Sequence, residues 1–311
     1  MILVVTANPA LDVTYAVSSL TPGAVHRAAS VHRRAGGKGV NVARVLHTLD
    51  VPAMTVAACG GGDGALVRAD LRTAELPHVL CDLAGCTRRT VTMLAAAEDT
   101  VTLVNEPGPE FSPSEWRAVV ATVHGLLDHA SVLVCAGSLP PGVPSDAYAE
   151  LIGLAHRHGV TAILDTSGAA LSAGIVARPH LVKPNVEELR EVTGIDDPLA
   201  GARELRLRGA GAVLASLGAA GLLLVAERGA WRARPTHPVR GNTTGAGDAA
   251  VAGAALEMAG GRPWPEVLRR AVAVSASAVL GPFAGDIDLD HHRREHSAVT
   301  VEEIHAACVD V

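Results

Sequence analysis

Short, almost unbroken apolar runs alternate along this chain with longer stretches whose apolar positions recur at helical spacing. Residues 2–6, 54–58, 132–135, 162–165 and 212–216 read as strands; 40–49, 112–128, 145–158, 185–193 and 249–259 read as helices. That alternation predicts an α/β fold, a mostly parallel sheet with helices on both faces. Two regions break the rhythm. Residues 13–35 and 88–104 look like alternating, half-buried strands with turn residues between them, suited to a small flap over a site. No Pro/Ser-rich linker, low-complexity tract or internal repeat divides the chain, so 1–311 is expected to form one domain.

Composition supports a large core. Of 311 residues, 49% are hydrophobic and 19% charged, which excludes a disordered chain. Only 2% are aromatic, so the core must be built from Ala, Val and Leu, and base-stacking platforms are not expected. A net charge of −6 gives no basic footprint for nucleic acid. Lysine occurs at two positions alone, Lys38 and Lys183, both inside glycine- or proline-marked motifs.

Residues 209–226 carry no charge, long enough to raise a membrane helix. The segment Ser216-Leu217-Gly218-Ala219-Ala220-Gly221 interrupts them, so two buried strands joined by a turn are expected instead, with no membrane partner. Met1 to Asp12 lacks a basic leader and reads as a first strand rather than a signal peptide. Cys59, Cys81, Cys86, Cys135 and Cys308 are odd in number and form no CxxC pair, which fits reduced thiols in a cytoplasmic protein.

The segment richest in chemistry is Gly241-Asn242-Thr243-Thr244-Gly245-Ala246-Gly247-Asp248, followed at once by a helical pattern. A glycine-rich turn opening a helix aims backbone N–H groups and the positive end of the helix dipole at one spot, a natural anion site. Asp248 stands where a Walker loop would carry Lys and Ser or Thr. A carboxylate beside an anion site suits a base that takes a proton from an attacking hydroxyl during phosphoryl transfer. The dipole is expected to keep it ionised and therefore weak as a base. An Asp there could also merely cap the helix. A second cluster, Ala35-Gly36-Gly37-Lys38-Gly39-Val40-Asn41, permits close backbone approach and offers an ammonium for phosphate. By itself it could be an ordinary strand-to-helix turn. Neither cluster fits GxxxxGK[ST] or a GxGxxG after a strand.

Both clusters, in this order and at this separation, resemble the PfkB (ribokinase-like) carbohydrate kinases. Asn8-Pro9-Ala10-Leu11-Asp12, Asn105-Glu106-Pro107-Gly108-Pro109, Gly137-Ser138-Leu139-Pro140-Pro141-Gly142, Leu164-Asp165-Thr166-Ser167-Gly168, Lys183-Pro184-Asn185-Val186-Glu187-Glu188 and Ser216-Leu217-Gly218 are similar to the branch containing 1-phosphofructokinase and tagatose-6-phosphate kinase. The resemblance covers essentially the whole chain. It implies a three-layer α/β/α sandwich with a small β lid from about 13–35 and 88–104, and a homodimer formed through that lid. It implies ATP and Mg²⁺, with a phosphorylated ketohexose as acceptor. The first choice is fructose 1-phosphate going to fructose 1,6-bisphosphate; tagatose 6-phosphate, fructose 6-phosphate or a related sugar are alternatives. A catalytically silent sensor of sugar phosphate or nucleotide is the reading of another class.

The resemblance also implies roles. Asp248 would be the base, with the backbone of Gly245, Ala246 and Gly247 as the anion hole. Asp12, Gly37 and Asn41 would bind sugar hydroxyls, a carboxylate being able to accept from two of them. Lys38 and Arg88 would hold the phosphate already on the sugar, helped by Arg27 and Ser138; arginine's fork suits two phosphate oxygens. Asn185 and Glu188 would order water around Mg²⁺ without binding it directly, though the same pair fits a helix capping box. Lys183, Ser216, Gly218 and Gly221 would line the nucleotide, with Val239 and Val272 against adenine. Asn242 replaces the more usual Asp, and Thr90 stands where a longer amide is expected, so sugar-ring recognition could differ. Residues 286–296, rich in His and Asp, read as a solvated surface loop rather than a metal site.

Overall fold

The first strand, β1 (Ile2–Thr6), is buried along its whole length. Leu3 and Val5 belong to one apolar core, Ile2 and Val4 to another. A strand with no solvent face has no polar side to alternate with, hence the unbroken apolar run in its sequence. The computed structural model describes residues 1–98 and 100–304; Cys308 lies outside them, while Cys59, Cys81, Cys86 and Cys135 are free thiols.

After β1 come β2 (Ala10–Val17), β3 (Ser30–Gly36), α1 (Lys38–Thr48), β4 (Ala53–Cys59), α2 (Gly61–Thr73), β5 (His78–Asp82), β6 (Arg88–Ala95) and β7 (Thr100–Asn105). Then follow α3 (Pro113–Leu127), β8 (Val132–Ala136), α4 (Ala147–Arg157), β9 (Thr161–Asp165), α5 (Gly168–Val176), β10 (Leu181–Val182), α6 (Val186–Thr193) and α7 (Pro198–Leu207). The rest are β11 (Val213–Ser216), β12 (Leu222–Ala226), β13 (Gly229–Ala233), α8 (Ala246–Ala259), α9 (Trp264–Val279), α10 (Leu289–Ala298) and β14 (Val301–Glu303).

The main sheet runs β14-β13-β12-β11-β10-β9-β8-β1-β4-β5. From β11 to β5 every ladder is parallel, and from β11 to β14 every ladder is antiparallel. Helices α3, α4, α5 and α7 cover one face and α1, α8 and α9 the other, giving the expected ribokinase-like α/β/α layers. The uncharged residues 209–226 form the β11–β12 hairpin, and among the described residues no helix is long and apolar enough to cross a membrane.

A second sheet, β3-β2-β6-β7, stands apart from the first. Its strands coincide closely with the two irregular regions of the sequence. Leu11, Val13 and Ala35 root it on Val40, Val67 and Leu71. At its other edge, β7 is exposed throughout, Val101, Leu103 and Val104 included.

One expectation fails. Most of 286–296 is not a surface loop: Asp288 caps α10 by accepting from the His291 N–H at 2.7 Å, and His292 and Glu295 are buried. Glu295 accepts from the backbone and hydroxyl of Thr236, and His292 meets Arg270 at 3.0 Å. The buried face of this helix is polar: distant Thr236 satisfies Glu295, while Arg270 meets His292 at Nε2 and leaves its buried Nδ1 without a partner among the described residues. No apolar stripe betrays it in the sequence.

Candidate active site

The carboxyl ends of the parallel strands gather the chemistry, where loops leave an open α/β sheet. Asp165 ends β9, Lys183 follows β10, Ser216 ends β11 and Ser138 follows β8. Lys38 begins α1, and Asp248 lies in the first turn of α8.

Around Asp165 the charges are close. It is wholly buried, with Oδ1 3.0 Å from Lys38 Nζ and 3.4 Å from Lys183 Nζ. Lys38 also lies 3.7 Å from Glu188. Burial works to lower the Lys38 pKa, but Asp165, Glu188 and Asp248 together lift it above its ordinary value. Lys38 therefore sits among three carboxylates, Asp165, Glu188 and Asp248.

Asp248 accepts a 2.8 Å hydrogen bond from Asn41 Nδ2, so α1 and α8 meet at this carboxylate. Burial first, then the Asp165 carboxylate, push its pKa up to about 7 against the pull of Lys38, Asn41 and Lys183. Loss of water is the largest cause of the rise. A base near 7 is matched to proton transfer at neutral pH. Gly245, at φ 85°, caps α8 without any side-chain hydrogen bond. The Ala246 N–H is spent on Thr243 O at 3.2 Å, so the first-turn N–H groups of Gly247 and Asp248 are the donors left for an anion. Lys183 lies against Gly247, leaving little room for a side chain there.

On the second sheet, Asp12 and Thr90 are register partners on β2 and β6. Burial pushes the Asp12 pKa up to about 6, with Arg88 and Thr90 pulling it back. Arg88 donates to Asn8 O at 3.2 Å, to Thr90 Oγ1 at 3.3 Å and to Glu106 O at 3.4 Å. The Asn8 amide reaches Ser138 Oγ at 3.2 Å and Pro107 O at 3.0 Å. Asp12, Arg88 and Ser138 thus form one connected wall. Gly36 is glycine because a Cβ there would collide with the Asp12 carboxyl, and Gly37, at φ 99°, turns the chain into α1. Arg27 lies exposed in the β2–β3 connection, outside this wall and in no ion pair among the described residues.

The residues expected to meet the nucleotide lie in turns. Asn185 and Glu188 form a reciprocal capping box, with Asn185 Oδ1 accepting from the Glu188 N–H at 2.7 Å. One Glu188 oxygen closes this box and the other lies 3.7 Å from Lys38. Ser216 bridges to Asn185, and Gly218 and Gly221 shape the β11–β12 turn beside it. Val239 is half-buried. Val272 is not; it lies inside the core, 1% exposed, so it does not line an adenine wall.

Sequence reasoning missed Asp165 as a site residue, though its motif was noted. The signal available was a carboxylate ending an apolar strand. Asn8 Oδ1, Asn41 Oδ1 and Asp165 Oδ2 are buried and lack partners among the described residues.

A ribokinase-like sandwich with a carboxylate at a glycine-lined helix start, facing a cationic wall, defines a carbohydrate kinase. The chain belongs to the pfkB family of carbohydrate kinases, whose family model matches residues 3–288. It is 39% identical over 290 residues to the 1-phosphofructokinase of Rhodobacter capsulatus, covering 90% of this chain and 92% of that one. It is 33% identical over 302 residues to the ATP-dependent 6-phosphofructokinase isozyme 2 of Mycobacterium tuberculosis, covering 94% and 88%. The solved phosphofructokinase-2 from Escherichia coli in complex with potassium superposes with a TM-score of 0.89 at 28% identity, covering 95% of this chain and 98% of that one.

Proposed function

We propose that this chain transfers the γ-phosphoryl group of ATP to the free primary hydroxyl of fructose 1-phosphate, giving fructose 1,6-bisphosphate and ADP. One observation carries the reading. Asp248, with a pKa of about 7, stands in the first turn of α8, bonded through Asn41 to the helix that begins with Lys38. In the reaction the sugar O6 forms a bond to the γ-phosphorus while the bond to the β,γ-bridging oxygen breaks, and Asp248 receives the hydroxyl proton. Gly247 and Asp248 N–H groups meet the charge spread over the phosphoryl oxygens, and Lys38 and Lys183 offset it from the side. Asp12 orients sugar hydroxyls, and Arg88 with Ser138 holds the phosphate already present. The 39% identical relative favours the 1-phosphate over the 6-phosphate as acceptor.

Asp165, Glu188 and Asp248 set three carboxylates against two ammonium groups, a hard-oxygen surplus that fits Mg²⁺. Among the described residues no cluster of three or more His, Cys, Asp or Glu is arranged to hold a metal. Asp165 and Glu188, with Asn185 fixing Glu188, would therefore hold the ion through water and the nucleotide phosphates. Bound there, it would neutralise phosphate charge.

The whole chain acts as one unit, with β2, β3, β6 and β7 as a lid over the sugar. The exposed Val101, Leu103 and Val104 of that lid support pairing with a second copy. Both substrates are charged metabolites of the cytoplasm, where we place the enzyme.

ADP release measured across fructose 1-phosphate, fructose 6-phosphate, tagatose 6-phosphate and free fructose tests the reading. Fructose 1-phosphate should give the highest kcat/KM. Preference for a 6-phosphate would overturn the choice of acceptor, and no turnover on any of them would make the chain a sensor.

A further inference from the structure

Six residues, Gly281-Pro282-Phe283-Ala284-Gly285-Asp286, touch three parts of the site at once. On one side, Asn242 Nδ2 donates to Pro282 O at 3.2 Å while Asn242 Oδ1 accepts from the Thr244 N–H at 3.0 Å. A Cβ on Gly245 would stand 2.9 Å from Ala284, so the turn that opens α8 rests directly on this loop. On a second side, Gly285 lies against α1, where a Cβ would come within 3.1 Å of Arg44 and 3.3 Å of Asn41 Cα. On the third side is lid strand β3. Arg34 donates twice to Asp286, Nη1 to Oδ2 at 3.0 Å and Nη2 to Oδ1 at 3.1 Å. His32, two residues earlier and so on the same face, stacks on Phe283 with ring centroids 3.9 Å apart and an interplanar angle of 8°.

The rung of the lid that makes this link also carries the sugar carboxylate. Arg34 is the register partner of Asp12 across the β2–β3 ladder. A shift of β3 therefore moves Asp12 and Asp286 together, and Asp286 moves the loop against which Gly245 and Asn41 are packed. Two hydrogen bonds from a planar guanidinium fix orientation as well as distance, and Arg34 is only 12% exposed, so water screens the pair weakly.

We propose that Arg34, through Asp286 and with His32 on Phe283, is a positioning residue that ties the seat of the lid to the geometry of the phosphoryl-transfer turn. It touches neither substrate. Its effect is to make the Gly247 and Asp248 N–H donors and the Asn41–Asp248 bond correct only when β3, and with it Asp12, is in place. Asn242 has a part in this: its amide nitrogen is what reaches Pro282 O, a bond that the aspartate more usual in its place could not donate.

The proposal rests on the kinase reading, so its test has a kinetic arm and an arm that needs no turnover. In the kinetic arm, Arg34→Ala and Asp286→Ala should each lower kcat about tenfold, the scale of one lost charge-assisted pair, with KM for ATP unchanged within about twofold. The double variant should be no worse than either single, and the transposed pair R34D/D286R should recover part of the loss. Arg34→Lys, which keeps the charge but not the fork, should fall between wild type and Arg34→Ala and serves where Ala impairs folding. In the second arm, amide hydrogen exchange of the ligand-free protein should show Arg34→Ala loosening residues 242–245 as well as 281–286. Losses that multiply in the double variant, or a KM for ATP that rises with the fall in kcat, would overturn the link. So would exchange in 242–245 that ignores Arg34. A wild type with no turnover, but with coupled exchange, would strike at the kinase reading alone.

Discussion

Replacing Asp248 by Asn separates what this carboxylate costs the fold from what it contributes to the reaction. The side chain is buried, and its pKa is raised from 3.8 to about 7, chiefly because burial penalises the charged form. A carboxyl with a raised folded pKa binds more protons folded than unfolded across that window. Stability therefore falls as pH rises from 3.8 to about 7 and stays lowered above it. At about 1.4 kcal/mol per unit, the shift corresponds to roughly 4 kcal/mol withheld from the fold at about pH 8. Asparagine keeps the shape and the acceptor for the 2.8 Å bond from Asn41, but carries no charge. Its amide brings two donors into a buried site, and their poor satisfaction takes back about 1–3 kcal/mol at every pH. The pH-dependent part is the cleaner observable. Urea unfolding of both proteins from about pH 4 to about pH 8 should show the difference moving by about 2–4 kcal/mol in favour of the variant as pH rises. Turnover should fall at least roughly a hundredfold. A stability difference that stays flat with pH would refute a desolvated carboxylate, and undiminished turnover would refute its role as the base.

Four further outcomes follow from the geometry. In wild type, kcat/KM for the sugar phosphate should drop as pH falls through 7 and then 6, where Asp248 and Asp12 in turn take up protons, and Asp12→Asn should remove the lower step from the profile. Gly36→Ala drives a methyl group into the Asp12 carboxyl, so KM for the sugar phosphate should rise at least about tenfold with KM for ATP unaltered; parallel changes in both would show a general disruption. Arg88→Ala should lower kcat/KM for the sugar phosphate by roughly ten- to a hundredfold and leave ATP binding intact, as measured by calorimetry. Asp165→Asn removes the shared partner of Lys38 and Lys183, so kcat should fall at least about tenfold and the Mg²⁺ concentration for half-maximal rate should rise; an unmoved Mg²⁺ titration would exclude Asp165 from the metal's surroundings.

Six strands of the main sheet, β1, β4, β8, β9, β11 and β12, were legible because burial leaves a nearly unbroken apolar run, as at β1 and β8; β5, β13 and β14 are partly exposed, carry no such run and were not read. Strands β2 and β6 of the second sheet were legible for the opposite reason: they are half-exposed, so polar residues alternate through them. Helix α10 was not, because the residues it buries, His292 and Glu295, are polar and their partners, Arg270 and Thr236, lie far away in sequence. Val272 was misjudged for a related reason. An apolar residue near the nucleotide side can face a ligand or a core, and only packing distinguishes the two.

By itself the sequence determined the α/β layering, the glycine turn before α8, the carboxylate at its mouth and the family those motifs belong to. These are local matters, set by hydrophobic period, turn chemistry and residue type over a few positions. The tertiary structure decided that Asp165 would be the buried partner of both lysines, that Asn41 would bond Asp248, and that Asp248 would titrate near 7. Each of those depends on which distant groups exclude water from a charge and which return a hydrogen bond. Desolvation and pairing are properties of three-dimensional neighbours, and a one-dimensional pattern does not carry them.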